Sequence, residues 1–214
     1  MYLWSNAHTT VTCLLSECLL HYGDVRCALT VHGSGPTCYQ LRQIRPAIRS
    51  LTPDAARTIV QAFIACNLDW CNWLFYGVPA NLLRKVQSVQ NAAAHLLTSA
   101  RRYDHVSPLL RQLHWLPVQR SVEFKIACLV HQSLASLAPT YLTTDIHLVS
   151  EYGRRLLRSS TDRTLTVSRT HNRFGDRGFA VTGPRLWNSL PKNLRQISSY
   201  GQFRRYLKNH LFGF

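Results

Sequence analysis

The sequence has 214 residues, 46% of them hydrophobic and 16% charged, with 25 Lys+Arg against 10 Asp+Glu and a formal net charge of +15. That apolar content excludes a fully disordered chain, and the length is enough for one large domain or two small ones. Arginine supplies 21 of the 25 cations; its planar, bidentate fork and a charge this far from zero point to a polyanionic partner, a basic soluble surface being the plainer reading.

Residues 1–36 read as an unmatched N-terminal segment, disordered or holding one short helix. Val11, Leu14, Leu15, Cys18 and Leu19 form its apolar stripe and Gly23 stops it. Gly33–Ser34–Gly35–Pro36 is a breaker cluster and reads as a linker. Tyr39, Leu41, Ile44 and Ile48 then predict a helix that Pro46 should kink or split. Thr52 before Pro53 is an N-cap followed by proline at the first helical position. The helix it opens carries Ile59, Phe63, Cys66 and Trp70 and ends at Gly77–Val78–Pro79. A third helix follows, with Leu82, Val86, Val89, Ala93 and Leu96 on its stripe and Arg84, Lys85, Gln87 and Asn91 away from it.

Leu109, Leu110 and Leu113 mark a short helix broken at Leu116–Pro117. Val122, Ile126, Leu129, Val130 and Leu134 stripe the next, and Pro139 ends that region. Beyond about residue 150 the composition turns basic: residues 151–214 hold thirteen cations and three acids. Thr164–Ser168 alternates as a short strand would. The last segment is an amphipathic helix, with Phe203, Tyr206, Leu207, His210 and Leu211 on one face and Arg204, Arg205 and Lys208 on the other. The expected fold is therefore mainly α: a helical bundle over 37–142, then an Arg-rich region over 143–214 with a short β element and a terminal amphipathic helix.

The seven cysteines show neither the even count of a disulfide framework nor two close pairs for zinc, so they read as buried structural thiols. No run of about 18 uncharged apolar residues occurs, so no membrane partner is expected. The ten acids are scattered without an adjacent Asp-Asp pair, and no phosphate-loop, dinucleotide or serine-elbow motif occurs. The reading is of a non-enzyme, with no catalytic residue, metal ligand or cofactor assigned. Trp115 in His114–Pro117 and Trp187 in Arg185–Pro191 are large apolar anchors beside prolines; base stacking on either ring is the functional alternative.

Those strings, taken in order, resemble the region that follows the polymerase core in non-LTR retrotransposon (LINE-type, Jockey-like) reverse transcriptases. Residues 37–214 carry the likeness. It rests on Cys38–Arg45, Leu68–Asn72, Leu74–Gly77, Val86–Ala94, Tyr103–Val106, Pro108–Leu110, His114–Pro117, Phe124–Lys125, Ala138–Leu142, Gly175–Arg177 with Phe179, and Arg185–Pro191. The resemblance implies a parent polyprotein with an endonuclease, a reverse transcriptase, a helical thumb-like region and a basic tail. The palm with its metal-binding aspartates is missing here and residues 1–36 do not match. The chain thus reads as a 5′-truncated copy that keeps only the accessory region.

The expected function is non-specific binding of RNA or single-stranded DNA by its backbone. The candidate contacts are Arg84, Lys85, Arg101, Arg102, Arg154, Arg155, Arg158, Arg169, Arg173, Arg177, Arg185, Lys192, Arg195, Arg204, Arg205 and Lys208. Two alternatives stand beside it: a module that docked on the missing reverse transcriptase core, now in trans, and a non-functional translated fragment. An intracellular location, nuclear or cytoplasmic, is expected.

Overall fold

A computed structural model of the chain describes residues 34–64, 75–101, 103–151, 162–172 and 175–213. The expected helix over Val11–Leu19, the Cys66–Trp70 turns, and Arg102, Arg154, Arg155, Arg158 and Arg173 lie outside them. The architecture is mainly helical and contains no sheet among the described residues. The chain divides into two compact units, Met1–Phe75 with Ala80–Leu109 and Tyr76–Pro79 with Leu110–Phe214.

In the first unit, α1 (Ser34–Ser50) and α2 (Pro53–Ile64) both pack on α3 (Ala80–Thr98). Leu41 and Ile48 of α1, Ala56 and Val60 of α2, and Val86, Val89, Ala93 and Ala94 of α3 make the core. Ser34–Gly35–Pro36 forms the first turn of α1 instead of a linker, since a first-turn proline lacks only an N–H that has no helical acceptor anyway. Of the kink or split expected at Pro46 the split does not occur: α1 runs on through it, with Leu41 before it and Ile48 after it both buried. α2 opens as read: the Ala55 amide donates to Thr52 Oγ1 at 3.4 Å and Ala56 to the Thr52 carbonyl at 2.9 Å.

The second unit is centred on α5 (Val118–Leu134), which packs against α7 (Phe179–Ser189) and α9 (Tyr200–Phe212). Between them run α4 (Val106–Gln112, which begins in the first unit), the single-turn α6 (Thr140–Thr143) and α8 (Lys192–Arg195), and 3₁₀ turns at Val149–Glu151 and Gly175–Arg177. Proline sets three of the helix starts: Pro117, Pro139 and Pro191 precede α5, α6 and α8 with φ of −52°, −54° and −55°. Pro139 thus begins an element where an end was expected. α4 stops earlier than Leu116–Pro117, at Gln112, and His114 two residues on has a φ of +57°.

Trp187, Phe203 and Leu207 are wholly buried in this unit. Residues 162–172 and 175–213 of the basic end thus supply part of a packed core. Within this unit α7 and α9 both pack on α5.

The Thr164–Ser168 strand is not formed. Leu165 makes one antiparallel bridge to Leu148. On its other edge the Asn188 side chain takes both main-chain groups: the Leu165 amide donates to Oδ1 at 2.9 Å, and Nδ2 donates to the Leu165 carbonyl at 2.9 Å. A side-chain amide stands where a second strand would pair, so no sheet propagates.

Candidate nucleic-acid interface

α9 is held in rotation by its buried stripe. Phe203 stacks on the His131 ring of α5 with centroids 4.4 Å apart and lies 5.6 Å from the Trp187 ring. His131 Nε2 lies 2.9 Å from the Ile197 carbonyl, which is a donor's geometry, while its buried Nδ1 has no partner. Burial holds the His131 pKa below the usual histidine value, and Arg163 adds to the effect against the Ile197 hydrogen bond. One turn along α5, the buried Cys128 thiol is pushed up to about 12, chiefly by burial, with Tyr200 and Arg204 nearby opposing. It is a packing thiol with no reactive character.

With Phe203 and Leu207 turned inward, three cations come to the outer flank. Arg204 is half-buried with its guanidinium 5.6 Å from the Tyr200 ring centroid. Lys208, one turn on, is half-buried with Nζ 6.0 Å from the Phe212 ring. Its pKa is lowered by burial first and by the Arg204 charge second. Arg205 is exposed. The two aromatic faces thus lie beneath the charged ends themselves, as cation–π contacts. Gly201, one turn before Arg204 and Arg205, has nothing within 4 Å of the place a Cβ would take, so the flank is open there.

The other expected contacts divide. Arg195 is corrected outright: it is 7% exposed, its Nη1 donates to Thr164 Oγ1 at 3.2 Å, and its carbonyl accepts from Arg163 at 3.4 Å. It is part of the interior seam that joins α8 to the 162–165 stretch. Two more are engaged with acids. Lys192 Nζ lies 2.7 Å from Asp162 and Arg185 Nη2 lies 3.2 Å from Asp176. The Asp176 carboxyl is held below its ordinary pKa, first by the Thr170 hydroxyl and then by Arg185. Arg177 is half-buried, its stem 3.4 Å from where a Cβ on Gly77 would sit. Arg169 is exposed. In the first unit Arg84, Lys85 and Arg101 are exposed, with Arg84 Nε donating to the Ala80 carbonyl at 3.3 Å.

Two features escaped the sequence reading. Tyr206, expected on the core face of α9, is 54% exposed. Arg42, Arg45 and Arg49 of α1 are all exposed, and their i, i+3, i+7 spacing was the available signal.

Trp187 is the core anchor that its leucine-rich surroundings suggested, with Nε1 donating to the Arg163 carbonyl at 2.8 Å. Among the described residues no helix is long and apolar enough to cross a membrane. Comparison with protein-family models, curated proteins and solved structures finds no match.

Proposed function

We propose that this chain is the non-catalytic accessory region of a non-LTR retrotransposon reverse transcriptase and that it holds RNA or single-stranded DNA by its phosphates. The observation that carries the proposal is α9: Arg204, Arg205 and Lys208 share a flank whose opposite side, Phe203 and Leu207, is fixed in the core. Arg169 is an exposed companion in the same unit. The resemblance supplies the biological setting, and the positive flank supplies the chemistry.

Each phosphate contact releases condensed counterions, so log affinity falls with log salt by roughly 0.7 per contact on a single strand. Replacing Arg204, Arg205 and Lys208 by Gln should flatten that slope by about 2, with little change in sequence preference. A salt series with generic single-stranded RNA and DNA measures it. Absent binding, or binding indifferent to salt, overturns the proposal.

A second reading, docking on a polymerase core in trans, is favoured by apolar side chains left at the surface beside α6. Leu137 is 70% and Tyr141 49% exposed. Such a face predicts self-association when the core is missing. Light scattering that finds a clean monomer at high concentration removes this reading.

A further inference from the structure

We infer that α1 is a second phosphate-binding stripe, independent of α9 and built wholly within the first unit. The inference rests on the proposed function for its ligand class and goes beyond it in site. Arg42, Arg45 and Arg49 stand at i, i+3 and i+7, within about 60° of one another around a helix of 3.6 residues per turn. All three are exposed. Pro46, at i+4 from Arg42 and i−3 from Arg49, lies at the edge of the stripe.

Surface cations on a helix usually serve intrahelical ion pairs, and that role is closed here. α1, SGPTCYQLRQIRPAIRS, contains no acidic residue. None of the ion pairs among the described residues involves these arginines. The neighbours Arg42/Arg45 and Arg45/Arg49 are instead like charges at i, i+3 and i, i+4, an arrangement that destabilises a helix. Only Arg49, in the last turn, meets the favourable end of the helix dipole. The stripe thus works against the stability of its own helix, and a row of phosphates removes the repulsion while using the bidentate fork of arginine.

The experiment uses the full chain and single-stranded oligonucleotides over a salt series. It compares the unaltered protein with two triple variants: Arg42→Gln/Arg45→Gln/Arg49→Gln, and Arg204→Gln/Arg205→Gln/Lys208→Gln. The α1 variant should flatten the salt slope by about 2 and leave the binding by α9 in place. Its unfolding midpoint should stay the same or rise, because like-charge repulsion is relieved; a fall marks the stripe as structural and overturns the inference. An unchanged slope also overturns it, while the α9 variant still reports on the proposed function separately. Loss of binding to polyglutamate without loss of oligonucleotide binding assigns the stripe to an acidic protein and likewise overturns it.

Discussion

His131 makes one contribution to the pH dependence of the second unit's stability. It is buried against Phe203, donates through Nε2 to the Ile197 carbonyl, and leaves Nδ1 without a partner to receive a proton. Its folded pKa is depressed, so the unfolded chain binds the proton first. The stability it confers is therefore full above the ordinary histidine range and is lost as pH falls through it. His131→Leu should flatten the decline of the thermal midpoint between pH 8 and 5 relative to the unaltered protein; equal slopes sink this assignment. Tyr206 has no packing role at 54% exposure, so Tyr206→Ala should leave the unfolding midpoint alone. If its ring stacks on a base, the same change weakens single-strand binding by roughly 5- to 150-fold, and Tyr206→Phe restores it. The sequence placed Tyr206 on the apolar side because it neighbours Leu207. Successive helical residues turn about 100°, and the contact with α5 is centred on Tyr200, Phe203 and Leu207, which carries Tyr206 past its edge. Arg195 shows the other limit: charge counting along the chain does not reveal which arginine meets Thr164 in the interior.

At the scale of elements, two glycines make opposite predictions. Gly183 lies where α7 approaches α5, and a Cβ there would come 2.9 Å from Val130 Cγ2. Gly183→Ala should cost about 1–3 kcal/mol by urea denaturation, because a packed neighbour has to move. Gly201 is in α9 with open space around it, and Gly201→Ala should stabilise by about 0.5–1 kcal/mol through backbone entropy. Equal effects of the two substitutions would refute the packing described for α5 and α7. The α2 start was readable from its cap at Thr52–Pro53 and α3 from its stripe along Val86, Val89 and Ala93, whereas Ile59, expected on the stripe of α2, is exposed and Val60 is buried in its place. The strand was not, since alternation in Thr164–Ser168 says nothing of Asn188, which occupies the edge from more than twenty residues away. Pro46 and Pro184 both lie inside helices, where burial of flanking residues outweighs a lost hydrogen bond that local rules count in full.

Across the whole molecule the charge is less concentrated than the linear count implies. The C-terminal unit turns Arg195 inward and matches Lys192 and Arg185 to acids, whereas α1 in the first unit presents three arginines outward. A formal charge of +15 repels itself at low ionic strength. A polyanion that binds only the folded state should therefore raise the thermal midpoint by mass action. Heparin in low salt is expected to do so, and a variant lacking both the α1 and the α9 cations should show a much smaller rise; an identical rise would place the binding elsewhere.

The helix that bears the outward cations also supplies Phe203 and Leu207 to the interior, so the two sides of α9 answer to different pressures. A codon change on its inner side unfolds the unit and is eliminated with it. On the outer side Arg204, Arg205 and Lys208 stand under selection only for as long as a ligand needs them. Related sequences would then record the history: inner codons held everywhere, and outer codons held only where a ligand still needs them.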